Sequence, residues 1–240
     1  MTNGAGSDIV ADFRLGFDLL KRYPVMVAPP LIAMVAVFLL TLLFFSGAAT
    51  VIAVGGLTER GPGMAGAMVG GALVGLLFFA VSMLVNLVSS AVVVVMARDA
   101  LANRGPSMGD AYRAVMARLR DVVVASMLFA VIVGIASLFL VIPGLIAGFF
   151  LMFTVPAILL DNAGAIDGLK RSATLVKNNI GPALGLVIGA IVAAVIIVIV
   201  SMILQVVPVI GQLASMLLAG ALFAYLTVVA VRVYQTLPLR

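Results

Sequence analysis

Six stretches of this chain, residues 25–45, 70–96, 122–142, 145–160, 183–207 and 212–231, contain no Asp, Glu, Lys or Arg. A bilayer hydrocarbon core is about 30 Å thick and takes about 20 apolar residues in a helix to cross. Runs of this length and purity constrain the chain more than any other feature. Over the whole sequence 65% of residues are hydrophobic and 10% are charged. A water-soluble domain has roughly a quarter of its residues charged, and its surface must stay polar. The solvent is therefore lipid over most of the length. In lipid every backbone N–H and C=O must be paired internally, which selects helices for such runs. The expected fold is all-α: a six-span polytopic membrane helical bundle forming a single integral-membrane domain over residues 1–240.

The charges sit between the runs, and their placement is one-sided. Arg14, Lys21, Arg22, Arg98, Arg104, Arg113, Arg118, Arg120, Lys170, Arg171, Lys177, Arg232 and Arg240 fall in the termini and even-numbered loops. Arg60 alone falls in an odd-numbered loop. An excess of Lys and Arg marks the cytoplasmic side, so both termini are expected in the cytosol. The net charge of +5 is then a topology signal and does not call for nucleic acid. Abundant Ala, Val and Gly, with more Arg than Lys, fit a GC-rich bacterial genome. The expected location is the bacterial cell inner membrane.

Three of the polar segments have helical periodicity. In Asp8–Arg22, Ile9, Phe13, Phe17 and Leu20 share a face with Val10 beside them, away from Arg14, Asp18, Lys21 and Arg22. Ser107 followed by Asp110 is a capping-box pattern. Behind it Met108, Ala111, Tyr112, Val115, Met116 and Leu119 form a stripe, opposite Asp110, Arg113, Arg120 and Asp121. Asp161 and Asn162 are N-cap candidates for a third helix. That helix places Ile166, Leu169, Ala173 and Val176 on one face and Lys170, Arg171, Thr174 and Lys177 on the other. These read as three amphipathic cytosolic surface helices, each leading into an apolar hairpin.

Proline and glycine punctuate the spans. Pro24, Pro29 and Pro30 open the first, where a missing N–H costs little. The run Val25–Phe45 has the length of a span and exceeds the roughly 7–15 residues of a signal-peptide core. Gly66, Gly70, Gly71 and Gly75 in the second span, and Gly181, Gly185 and Gly189 in the fifth, offer small-residue edges for helix approach. Pro143-Gly144 and Pro208 are expected to turn the chain. Pro156 is expected to kink the fourth span and to free the carbonyl of Met152, which a neighbour must satisfy.

Little catalytic chemistry is available. The chain has no Cys and no His, so disulfides, thiolate ligands and the usual neutral-pH base are missing. No cofactor is implied. Ionisable groups in the membrane mark proton relays and ion pathways, and the runs contain none. Their polar residues are mild and include Ser82, Asn86, Ser89, Ser90, Ser137, Thr154, Gln205, Gln212 and Thr227. Asn86 lies deepest, and a hydrogen bond to a neighbouring helix is its expected role.

The stretch Ile142–Asn179 resembles the integral-membrane domain found in some bacterial glycerophosphodiester phosphodiesterases and in stand-alone membrane proteins. The resemblance rests on Ile142-Pro143-Gly144, Val155-Pro156, Asp161, Gly168-Leu169-Lys170-Arg171-Ser172 and Leu175-Val176-Lys177. It implies a membrane topology. The phosphodiesterase activity of that family belongs to a separate barrel domain with His and acidic metal ligands, and no such segment is present here.

The expected function is therefore that of a non-enzymatic scaffold or accessory protein working through a basic cytosolic face. Arg113, Arg118, Arg120, Lys170, Arg171 and Lys177 are its candidate surface for anionic lipid or a protein partner. The alternative is a transporter or channel for lipid or small solute, using kinks at Pro143, Pro156 and Pro208. A cavity reaching the midplane near Asn86 or Thr154 favours transport, and a tightly packed bundle favours the scaffold.

Overall fold

The computed structural model describes residues 9–56, 62–139, 141–207 and 210–238, and these are helical with short connections. The helices are α1 (Ile9–Arg22), α2 (Ala28–Gly56), α3 (Pro62–Leu101), α4 (Met108–Ala117), α5 (Leu119–Phe139), α6 (Val141–Phe150), α7 (Thr154–Leu160), α8 (Ala165–Asn178), α9 (Ile180–Leu204) and α10 (Ile210–Thr236). Six segments are long and apolar enough to cross a membrane: Pro24–Phe44, Val74–Leu101, Leu119–Ser137, Ile142–Leu160, Ile180–Leu204 and Ile210–Thr236. They match the charge-free runs to within a few residues. The chief shifts follow from the polar helices. α3 runs on to Leu101, α5 begins at Leu119, and α9 begins directly after Asn179.

The bundle is three hairpins, α2–α3, α5–α6 and α9–α10, held together at one end. That end carries the described cations and holds the core. The last third of α3, from Ala91 to Ala100, is buried against Leu19, Met26, Val115, Val122, Ile158 and Val228. A second cluster joins Phe153, Ala157, Leu175, Val176, Leu186, Val229 and Tyr234. Away from this end each hairpin stays paired, as at Phe44 and Phe78 of α2 and α3, but much of the helix surface is exposed. α9 exposes Ile188, Ile191, Val195, Val198 and Met202, which suits helices whose neighbours are lipid chains, because there is no hydrophobic gain in packing apolar faces together in lipid.

Helix α1 is rotated from the face its periodicity suggested, with Ile9, Phe13 and Leu20 half-buried at the edge of the contact. Asp12, Gly16 and Leu19 point inward, while Val10 and Phe17 are exposed. The reason is Gly16: a Cβ there would lie 2.7 Å from Val229 Cγ2, so its absence lets α1 lie directly on α10. Ile9 and Phe13 then press against Gly185 and Gly189 of α9, which puts the small edge of the fifth span to use. Gly70 and Gly71 have no described atom within 4 Å of the Cβ position, whereas Gly75 lies against Phe44 of α2, 3.7 Å from its Cβ position, so the small-residue edge of the second span is used only at Gly75 among these three. Gly66 lies among residues whose side chains are outside the description.

The turns also differ. Pro143 and Gly144 lie in the first helical turn of α6, so the reversal of the chain comes just before them. Pro143 suits that position because its missing N–H has no partner to lose there. Gly144 is needed because a Cβ would run into Ser137 across the hairpin. Pro208 lies outside the described residues.

Candidate functional site: a basic surface around a broken span

The amphipathic helices build the basic end. Ser107 caps α4, its Oγ accepting from the Asp110 N–H at 3.4 Å. Ala111 and Val115 bury against α3, and Asp110 pairs with exposed Arg113 at 3.1 Å. α4 stops at Ala117, and α5 starts two residues later.

The fourth span is broken, and the break precedes the proline expected to cause it. α6 ends at Phe150 and α7 starts at Thr154, leaving Leu151–Phe153 as a turn. Pro156 sits in the first turn of α7, where no N–H is needed. The backbone groups left without a helical partner at the break include Phe150 C=O and Phe153 N–H. Ser172 of α8 satisfies both. Its Oγ accepts from Phe153 N–H at 3.0 Å and donates to Phe150 C=O at 2.9 Å. Ser172 and Phe153 are fully buried. Gly168, one turn earlier on α8, lets that helix cross α7, since a Cβ would lie 2.7 Å from Ile158 Cγ1.

Asp161 and Asn162 are not the N-cap of α8. Gly164 takes that position, because α7 continues to Leu160 and the chain needs a turn before α8. Asn162 adopts φ 55° in this turn, a left-handed conformation that Asn tolerates better than most residues. Asp161 instead receives two side chains: Arg171 Nη2 at 2.9 Å and the hydroxyl of Tyr234, which donates to the same oxygen. Arg118 reaches the same turn, its Nη2 donating to Asn162 Oδ1 at 2.8 Å, with Asp121 3.6 Å away. The turn is thus tied to the α4–α5 junction, α8 and α10.

The six candidate cations therefore divide. Arg118 and Arg171 turn inward onto the Asp161-Asn162 turn. Arg113, Arg120, Lys170 and Lys177 are exposed, and among the described residues the last three have no acidic partner. α8 itself is turned relative to expectation: Gly168, Leu169, Ser172, Leu175 and Val176 are buried and Ile166 is exposed. Sequence reasoning missed the roles of Ser172, Tyr234 and Asp12. Asp12 of α1 is buried and meets Arg232 of α10 at 3.4 Å. A signal existed for two of them. Ser172 falls on the apolar stripe between Leu169 and Val176, and Asp12 lies one turn before Gly16 on the buried face.

Beside the break lies a cavity of about 470 Å³, lined by residues of α2, α3, α5, α10 and the α6–α7 segment. Asn86 and Thr154 both line it. Most of its wall is apolar and includes Met34, Met83 and Met152. Asn86 does not bond to a neighbouring helix as expected. Its Nδ2 donates to Ser82 C=O, four residues back on α3, at 2.8 Å.

The family described as a domain of unknown function, DUF7847, matches residues 82–237. This chain belongs to that family. The match holds the Ser172 bridge, the Asp161 cluster and Asn86, and it leaves out α1 and α2. It contains Ile142–Asn179, but nothing in it links the chain to the glycerophosphodiester phosphodiesterases. No curated protein matches the chain, and no solved structure does.

Proposed function

We propose that this chain is a non-enzymatic multi-pass protein of the bacterial inner membrane that works as a scaffold or accessory through a basic cytosolic face. One observation carries the reading. The polar helices are packed into the core at one end of the bundle, yet Arg113, Arg120, Lys170 and Lys177 stay exposed there. Cations that only marked topology would need no rigid mounting. Here α4, the start of α5 and α8 are fixed by buried Val115, Val122, Leu175 and Val176, so the charges are held in place. Each cation near a negative leaflet contributes about 1 kcal/mol of attraction, which falls as salt shortens the Debye length.

The test replaces Arg113, Arg120, Lys170 and Lys177 with Gln and measures co-purified anionic lipid and partner protein. The variant should insert normally, because the remaining basic residues still mark the inner side. Binding to vesicles containing phosphatidylglycerol should fall at least tenfold and depend less steeply on salt. Unchanged lipid and partner retention in a normally inserted variant would remove the reading.

A second reading, passage of a lipid or small solute, is favoured by the cavity at Asn86 and Thr154. It is tested by uptake or lipid exchange in proteoliposomes, with Ser90→Phe as the blocked control.

A further inference from the structure

We infer that the cavity beside the helix break is a binding site for an uncharged lipid, one with an apolar body and a carbonyl or hydroxyl group. The inference goes beyond the basic-face reading and does not depend on it.

Three observations set the chemistry. First, every lining residue belongs to a membrane-spanning segment, and no Asp, Glu, Lys or Arg is among them. At about 470 Å³ the cavity falls in the range of small-molecule sites, roughly 300–1,000 Å³. Methionines in the wall suit a flexible apolar body, since their unbranched side chains adapt to its shape.

Second, polar groups from two helices converge on the cavity with bonding capacity unused. Asn86 is exposed at the wall, and one of its two N–H groups is spent on Ser82. The other N–H and the Oδ1 acceptor meet nothing among the described residues. Ser89, 8% exposed, has a hydroxyl with no partner among the described residues. Ser126 of α5 lines the same space and forms no hydrogen bond among the described residues. By contrast Thr154 is satisfied by Leu151 C=O at 2.7 Å. An amide left open in a membrane span is costly unless something polar meets it.

Third, depth excludes a charged headgroup. Asn86 lies twelve residues before Arg98 on the continuous helix α3, about 18 Å along its axis. That is more than half of a hydrocarbon core about 30 Å thick. A phosphate there would be unpaired and far from water. A carbonyl or hydroxyl can be met by the Asn86 amide alone.

The experiment uses the full chain purified in detergent and two radiolabelled probes with the same acyl chains, dioleoylglycerol and dioleoyl phosphatidic acid. The read-out is the cavity-dependent fraction: lipid held by the wild type minus lipid held by Ser90→Phe, which puts a bulky ring on the cavity wall. Phosphatidic acid held at the basic face survives in Ser90→Phe, so the two readings separate. Dioleoylglycerol should show a cavity-dependent fraction near one per chain. Phosphatidic acid should show one at least tenfold smaller. Asn86→Leu, which loses a bond only to its own helix, should weaken dioleoylglycerol about fivefold, the equivalent of one net hydrogen bond of roughly 1 kcal/mol. Val198→Phe, on the lipid-facing side of α9, should change nothing. The inference is overturned if dioleoylglycerol shows no cavity-dependent fraction, if phosphatidic acid shows an equal one, or if Asn86→Leu binds as the wild type does.

Discussion

Replacing Ser172 with Ala removes a single oxygen and leaves two backbone groups without partners. Phe153 N–H is fully buried, and Phe150 C=O lies in a partly buried residue at the same break. A buried polar group left unpaired costs about 1–3 kcal/mol. One full penalty and one partial penalty give a loss of about 2–4 kcal/mol for Ser172→Ala. Ser172→Val should cost at least as much, because its second methyl must also fit a fully buried site. Ser172→Thr keeps the hydroxyl and should recover part of the loss. The assay is reversible unfolding in mixed micelles, combined with hydrogen exchange at residues 150–154. The exchange should accelerate there before it does in α9 or α10. If Ser172→Ala unfolds within about 0.5 kcal/mol of the wild type, with unchanged exchange at Phe153, the serine does not hold the break and the reasoning fails.

Further changes probe the other ties. Arg232→Ala strands the buried Asp12 carboxylate; because Arg232 is 40% exposed, the cost is discounted to about 2 kcal/mol, and pairing it with Asp12→Leu should restore most of that in a double-mutant cycle. Gly168→Val drives a branched side chain into Ile158 and should cost about 1–3 kcal/mol, read as a lower thermal midpoint in detergent, whereas Gly70→Ala, with open space around it, should leave the midpoint unchanged. Gln at Arg113, Arg120, Lys170 and Lys177 together should shift stability by no more than about 0.5 kcal/mol. Arg171→Gln alone should destabilise more than those four combined, because it removes the ion pair at Asp161.

The architecture was legible because lipid imposes a simple rule: charge-free runs of about 20 residues must be helices. All six runs reappear as candidate spans. The faces of the amphipathic helices were less legible. Periodicity placed Phe17 and Ile166 inward by hydrophobicity alone, but at a membrane surface an exposed Phe or Ile is not penalised as it is in water. Glycine then decided the contact: Gly16 and Gly168 mark where α1 and α8 touch their neighbours. The break in the fourth span was misplaced because Pro156 is the visible helix breaker, while the group that makes a break tolerable is Ser172 on another helix. A tertiary hydrogen bond of that kind leaves only a faint trace, a serine in the middle of an apolar stripe. Asp161 was misread for a similar reason, since its partners Arg171 and Tyr234 come from two other helices and Tyr234 lies 73 residues away.

The central claim is that the end of the bundle carrying α1, α4 and α8 faces the cytosol, and the chain's lack of cysteine makes it directly measurable. Gly105→Cys lies at that end with open space around its Cβ, and Arg60→Cys lies in the loop expected on the other side. A membrane-impermeant maleimide added to intact cells should label Arg60→Cys and spare Gly105→Cys, and inverted membrane vesicles should give the reverse pattern. Labelling of Gly105→Cys in intact cells, with Arg60→Cys protected, would contradict the account.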